Sequence, residues 1–600
     1  MKTIVLAIYA AFACMLAASW SVSAAVSASP AMPSFGPNVY FFNAAMPQSE
    51  IQSTVDAIAA EQVSNQFGSQ RFALLFEPGT YGTAAHPLNF QVGYYTAVAG
   101  LGQSPADVVI NGSVYVRNQC SGPGNCTALN NFWRSLSNLT INVSTPNFGC
   151  YSGEFWAVSQ AAPMRRVHVN GFATLMDYCT GPSFASGGFI ADSAFDGSVI
   201  VNGYQQQWLT RNSKVDVWTN AVWNQVFLGV IGAPAQSFPN PPYTTLATSP
   251  VTREAPYLYE DASGGFAVFV PSVQHDTAGT SWATGQTPGV SIPLDRFFIA
   301  RPGDSAPSIT SALATGKNLI LTPGVYHLDQ TIEVPHPDTV VLGLGFPTLV
   351  PDNGRPAMRL VNARGDVVSG LIFDAGARNS RVLLQVGTGH DRGDASDPSA
   401  LSDVFFRVGG AAAGSATTSL VVDSGNVILD DIWAWRADHG NGVGWTINTA
   451  DTGVIVNGDD VTAYGLFVEH FQKYEVVWNG EGGTVIFFQN EMPYDPPSQD
   501  AWMEAPGVDG YAALKISPDV ASFAGYGMGS YSFFNQCVNI YADRAFEVPA
   551  SLPAGSLRDL LTIFLDPSHG KGGILHVVND AGGSSTIANP DVPVTVVSYP

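Results

Sequence analysis

Two glutamates, Glu469 and Glu491, mark the stretch TAYGLFVEHFQKYEVVWNGEGGTVIFFQNEMPYDPP that runs from Thr462 to Pro497. Each closes a short apolar run, and they are 22 residues apart (491 − 469). If that interval is one turn of a repeating structure, both carboxylates can face one groove. A pair of carboxyl groups in a groove is the minimum equipment for cleaving a glycosidic bond: one protonates the leaving oxygen, the other handles water or the sugar carbon. Taken alone the pair is weak evidence, because glutamate ordinarily sits solvated at the surface. Glu475, Glu481 and Glu504 lie near enough in the chain to be rivals.

The elements that would position such a pair have a rhythm of their own. LTIN ends at Asn142, VHVN at Asn170, SAFD at Asp196 and SKVD at Asp216; later LIFD ends at Asp374, VFFR at Arg407, IWAW at Trp435, LFVE at Glu469 and FQNE at Glu491. Short runs of apolar and β-branched residues, each closed by a polar residue and recurring every few tens of residues, are what stacked parallel β-coils require. A β-sandwich would show turn signals every 8–12 residues instead. A longer repeat overlies the short one. Phe41-Phe42, FALLFEPGTYG and YYTAVAGLG recur in the same order as Phe297-Phe298, KNLILTPGVYH and PDTVVLGLG, at offsets of 256, 245 and 243. The chain therefore reads as all-β: two tandem right-handed parallel β-helices of the pectate-lyase type, each opened by a short helix, with a cleft between them. The expected division is a signal peptide over 1–25, an N-terminal β-helix over 26–240, a Pro- and Thr-rich connection over 241–290, and a C-terminal β-helix over 291–600 carrying the two glutamates.

Composition narrows the ligand. Of 600 residues only 12% are charged, and the formal net charge is −23. So cation-poor a chain repels nucleic acid, anionic membrane surfaces and polyuronates, and suits a neutral polysaccharide or oligosaccharide. The 34 Phe, 21 Tyr and 12 Trp can offer flat faces to sugar rings, although most aromatics fill cores. The start MKTIVLAIYAAFACMLAASWSVSAAVSA, with Lys2, an apolar run and small residues at Ala24 and Ala25, has the character of a cleaved secretory signal. The expectation is a secreted monomer, extracellular or periplasmic according to the host. In an oxidising compartment Cys120, Cys126, Cys150 and Cys179 would form two disulfides, in any of three pairings, leaving Cys537 as a buried thiol. Four sequons begin at Asn111, Asn125, Asn138 and Asn142 and would accept glycans in a eukaryotic host. No phosphate-cradling Gly loop, no G-x-S-x-G elbow and no metal-ligand spacing is present, so neither cofactor nor metal is expected.

Several motifs together carry a more specific likeness. EHFQKY resembles the E-H-x-x-x-Y segment of glycoside hydrolase family 55, and QNEMPYD its Q-T-E-x-P-Y-Y segment. IWAWRADHG is similar to its W-x-W-x-A-D-H stretch, and in the first half SGGF and YQQQW are similar to its S-G-G-F and N-Q-Q-F segments. The resemblance implies a β-1,3-glucanase of tandem β-helices, with Glu491 as general acid and Glu469 on the water-activating side of an inverting reaction. It also implies polar help from the other β-helix, for which Gln206 and Gln207 are the candidates. Trp433, Trp435, Trp478 and Tyr494 are candidates for stacking on sugar, while Asp438 and His439 would brace the cleft wall. A hydrolase of another glycan, a polysaccharide lyase and a non-catalytic carbohydrate-binding solenoid are the competing readings.

Overall fold

The computed structural model describes residues 34–144, 152–389 and 391–600; the expected signal over 1–25 and Cys150 lie outside them. A 16-stranded sheet runs from Val39–Phe42 to Tyr243–Leu246. A 13-stranded sheet from Phe297–Ala300 to Val594–Tyr599 and a 10-stranded one from Ile332–Val334 to Ser585–Thr586 form the second half. Successive coils pair in parallel, each one strand further along the stack, as in Val427–Arg436 on Thr462–Glu469 on Gly483–Glu491. This is the expected pair of parallel β-helices. The second ends by turning antiparallel, Val594–Tyr599 against Leu557–Phe564, which closes the sheet edge.

Like residues stack on like along each helix. Leu401, Leu429, Ala463 and Val485 are consecutive register partners, all buried at 0% exposure. Burying each larger aliphatic side chain contributes about 1.5–3 kcal/mol, so the interior column stabilises every coil it passes through. Polar residues stack too: Asn142 donates to Asn111, and Asn170 to Asn142. Of the four sequons, Asn138 is buried, with its amide donating to the carbonyls of Gly100 and Gly102, so in the folded chain it cannot carry a glycan.

The two copies agree down to a buried tyrosine. Helix Gln48–Gln62 opens the first β-helix and Ala306–Ala314 the second, the latter burying Ala306, Ile309 and Leu313 against the end of the stack. Behind each Pro-Gly turn, Tyr81 donates its hydroxyl to the carbonyls of Phe42 and Glu77, and Tyr326 to those of Ala300 and Thr322. The connecting stretch has structure of its own. Ser249–Thr252 pairs with Gln274–Thr277, and Tyr257–Glu260, Phe266–Pro271 and Gly289–Pro293 form an antiparallel sheet. From it Glu254 accepts from Arg211 of the first β-helix while Arg253 reaches Asp397 of the second.

A column of bends sets which side chains face out. In the 13-stranded sheet Gly370, Asp403, Asp431, Gly465, Phe487, Gly527 and Asp559 all have φ between 55° and 74°. Each is skipped in the pairing, as Gly465 is between Tyr464↔Ile486 and Leu466↔Phe488. One unpaired residue per strand resets the inward-outward alternation, as a β-bulge does. Asn138 and Arg166 occupy the same position in the first β-helix. The bent faces meet: a Cβ on Gly465 would come within 3.0 Å of the Phe189 ring, and one on Gly527 within 2.4 Å of Val226.

Cys120 and Cys126 are bonded across a small hairpin and Cys179 is also in a disulfide. Cys537 is exposed rather than buried, because a turn at φ 60° carries it outside the coil.

One buried acid makes a separable prediction. The Glu154 carboxyl accepts from Ser113 Oγ and Val114 N through one oxygen, while the other is buried without a partner. Burial raises it to about 8. With the folded value above the unfolded one, its contribution is fully present below about 4.5 and is lost as pH rises to about 8, at on the order of 1 kcal/mol per pH unit. Glu154→Gln, which keeps the shape of the protonated acid, is expected to match the parent in thermal unfolding at pH 4 and to unfold at a higher temperature at pH 8.

Candidate active site

Glu469 is the last residue of Thr462–Glu469 and Glu491 the last of Gly483–Glu491, and the two are direct register partners. They belong to one row, Asp374, Arg407, Trp435, Glu469, Glu491 and Tyr531, that crosses successive coils on the outer face. The row opens into a hollow of about 830 Å³ walled by both β-helices. Leu129, Gln160, Ser186, Gln206 and Trp223 line it from the first; Trp435, Asp438, His439, Glu469, His470, Glu491, Tyr494 and Phe533 line it from the second. Five carboxyl groups face this space, those of Asp438, Glu469, Glu491, Asp566 and Asp591, and among the described residues no Lys or Arg does.

Glu469 is held at both oxygens. Its Oε1 accepts from Gln160 Nε2 at 2.7 Å and its Oε2 from the Trp433 indole at 2.9 Å. A relay from the first β-helix fixes Gln160: the Gln207 amide donates to the Ser186 carbonyl, and Ser186 Oγ donates to Gln160 Oε1 at 2.9 Å. Glu491 projects further, its side chain 15% exposed. It accepts from the Tyr494 hydroxyl and lies 4.0 Å from His470 Nε2. His470 Nδ1 donates to the Met492 carbonyl at 3.1 Å, which turns Nε2 toward Glu491. Arg436 clamps the supporting loop: its guanidinium donates to both oxygens of Asp495 and to the carbonyls of Asn448 and His470.

Burial, and after it the charge of Glu491, raises the Glu469 carboxyl well above the usual range. Burial raises Glu491 as well, opposed by His470 and by the Tyr494 hydrogen bond. Two such acids on adjacent coils hold a proton between them into a pH range where isolated carboxyls are ionised. Asp438 goes the other way. Burial opposes its charge, but the His439 hydrogen bond and nearby His470 outweigh it and hold the acid at about 2.

The other expected residues fall into three groups. Trp435, Tyr494, Gln206, Asp438 and His439 line the hollow. Trp433 and Gln207 lie behind its wall, both almost fully buried, and act on Glu469 directly or through the relay rather than offering a face to a sugar. Trp478 is corrected outright: it is fully buried inside the second β-helix, stacked edge-on against Phe523, because Val476–Trp478 belongs to the 10-stranded sheet on the far side of the coil. The rival acids lie elsewhere. Glu475 accepts from the Phe471 backbone N–H, Glu481 from Ala521 and Ser522, and Glu504 from Lys515 and Tyr474. Gln160, Ser186 and Arg436 are not among the expected residues, although Ser186 opens SGGF and Arg436 lies within IWAWRADHG. Gln160 sits in VSQAAPM, which carries no signal, and its partner is 309 residues away.

Known proteins match this chain at several levels. Residues 297–491 match the LAM55 pectate lyase-like domain. An exo-beta-1,3-glucanase of Streptomyces sp. (strain SirexAA-E / ActE) is 48% identical over 567 residues, which cover 94% of this chain and 89% of that protein. The solved structure of sacteLam55A from Streptomyces sp. SirexAA-E superposes with a TM-score of 0.87 at 46% identity, covering 95% of this chain and 99% of the other. A Glu-to-Ala variant of that protein in complex with glucose superposes at 0.86 with 47% identity and the same coverage.

Proposed function

The chain belongs to glycoside hydrolase family 55, and on that premise we propose that it hydrolyses β-1,3-linked glucan by a single inverting displacement, outside the cell that makes it. The observation that carries the reading is the cross-strand pair Glu469 and Glu491 in a hollow walled by both β-helices and, among the described residues, lined by no Lys or Arg. In this reaction the Glu491 hydroxyl gives its proton to the glycosidic oxygen as the bond from that oxygen to C1 breaks. Water attacks C1 from the opposite face and loses a proton to Glu469. Two donors hold the Glu469 oxygens, working against the net upward pull of burial and of the Glu491 charge on that carboxyl, and they keep the group recessed, as a base acting through water requires. A nucleophile would have to reach the sugar carbon itself. A lyase is disfavoured on charge: a hollow lined by five carboxyl groups repels a uronate chain. Both walls come from one chain, so a monomer suffices, and residues 1–25 have the character of a secretory signal.

The test is a panel of β-1,3-glucan, β-1,4-glucan and polyuronate, read by reducing ends and by the anomer first released. Expected are turnover of the β-1,3-linked polymer and initial release of the α-anomer. Initial β-anomer would replace the single displacement by a covalent intermediate, and unsaturated products absorbing in the ultraviolet would restore the lyase.

A further inference from the structure

The catalytic hollow does not end at its own rim. Phe184 and Tyr204 line it from the first β-helix, and both are open to solvent at 51% and 41% exposure. The Tyr204 ring lies 5.8 Å, centroid to centroid, from that of Tyr178, which is 44% exposed. Tyr178 in turn lines a second, shallower groove of about 310 Å³ with Phe172, Asn202, Thr219 and Asn220. The Tyr204–Tyr178 ring pair thus joins the cleft, which Tyr204 lines with Phe184, to the groove that Tyr178 lines on the first β-helix. Apolar ring faces left in water are unfavourable until a ligand covers them, and those at a cleft mouth are placed to meet one.

The outer groove is built for a polyol. None of the five described residues that line it is charged. Asn220 Nδ2 donates to Asn202 Oδ1 at 2.7 Å, and Asn202 Nδ2 donates to Thr174 Oγ1 at 2.9 Å. That ladder fixes the Asn220 amide and leaves its carbonyl oxygen at the exposed end, where a hydroxyl can donate to it. The Thr219 hydroxyl donates to the Val201 carbonyl and keeps its lone pairs for an incoming hydroxyl. An aromatic face for the C–H side of a sugar ring, flanked by fixed acceptors for its hydroxyls, is the pairing that recognises a neutral saccharide and not an anion.

We propose that Tyr178, Asn220 and the groove they line form an outer binding platform for the distal part of the same neutral glucan chain whose scissile bond lies between Glu469 and Glu491. This rests on the function proposed above and adds to it a second point of attachment, separate from the catalytic hollow. A long chain engages both places and a short one only the first, so the platform favours polymer over oligosaccharide by effective concentration.

The test uses Tyr178→Ala and Asn220→Ala in the full chain, with folding checked by circular dichroism and thermal unfolding. Two substrates are compared, a β-1,3-linked trisaccharide and the polymer laminarin. Each variant is expected to keep kcat/KM on the trisaccharide within about twofold while KM on laminarin rises about 3- to 10-fold, the scale of one aromatic contact. In affinity electrophoresis through laminarin-containing gels, adding either change to the Glu491→Gln chain should reduce its retardation. Unchanged KM and retardation on laminarin would overturn the platform, as would an equal loss on the trisaccharide, which would assign Tyr178 to the catalytic hollow. A parent chain that cleaves neither glucan would instead sink the function on which the platform rests.

Discussion

Glu491→Gln is expected to lower kcat on β-1,3-glucan by about 10³-fold or more while the protein still folds and binds the polysaccharide. The size follows from removing the proton donor for an alkoxide-like leaving group, which is worth about 10²–10⁴-fold. Glutamine keeps the shape of the side chain, and its amide oxygen can still accept from Tyr494. An aryl β-glucoside with an acidic phenol leaving group needs little protonation, so its turnover should suffer far less; equal losses on both substrates would remove Glu491 from the acid role. The pH profile carries the same information with a definite sign. The acid must be protonated, so activity falls as pH rises through its titration. Because burial raises Glu491, that basic limb should lie above the ordinary carboxylate range. Tyr494 lowers Glu491 by donating to it, so Tyr494→Phe should move the basic limb to higher pH. An unmoved limb would mean that the tyrosine does not act on this carboxyl.

Asp430→Ala is expected to be the most destabilising single change in the molecule. Asp430 stands at the seam between the β-helices, buried, and accepts from two arginines of the first: Arg165 Nη1 at 2.8 Å, and Arg211 Nε at 3.0 Å and Nη2 at 2.8 Å. Burial opposes its charge, but Arg211 and Arg165 more than compensate and hold it below the usual carboxylate range. Removing it leaves two guanidinium groups in the seam with only Asp403 and Glu254 between them. Breaking one side of a buried ion cluster costs about 3–5 kcal/mol, because the remaining charge keeps its desolvation cost. The measurement is urea unfolding, with a lower midpoint at unchanged slope. Asp430→Asn keeps the shape and, with its one oxygen at the Oδ2 position, an acceptor for Arg165 Nη1 and Arg211 Nη2, and should lose less. A loss below about 1 kcal/mol for the alanine variant would mean that water enters the seam and screens the arginines. Since the seam also carries Gln160 to Glu469, the alanine variant should lose activity on heating before its coils unfold.

What the sequence determined by itself is the repeat and its contents. The polar residues that close its short apolar runs, Asp374, Arg407, Trp435, Glu469 and Glu491, proved to be one row of register partners, because stacked coils place residues one turn apart directly above each other. The duplication was legible for the same reason: the Pro-Gly-x-Tyr turn recurs because Tyr81 and Tyr326 each close the same buried corner. Which way each residue faces was decided only by the tertiary structure. Counting alternate residues from inward Ala463 turns Glu469 into the core, and counting from Val485 does the same to Glu491. The skipped residues Gly465 and Phe487 reverse both, and Phe487, a bulky residue at positive φ, gives no local sign of doing so. The direct partner of the pair was out of reach. Gln160 meets Glu469, with Ser186 and then Gln207 behind it, only because two separate stacks pack along their bent faces; the family resemblance offered Gln207 as polar help from the other β-helix, but no period within either stack encodes the Gln160 contact. Local pattern fixes what lies one coil away, whereas the contact between the two β-helices depends on complementary surfaces hundreds of residues apart.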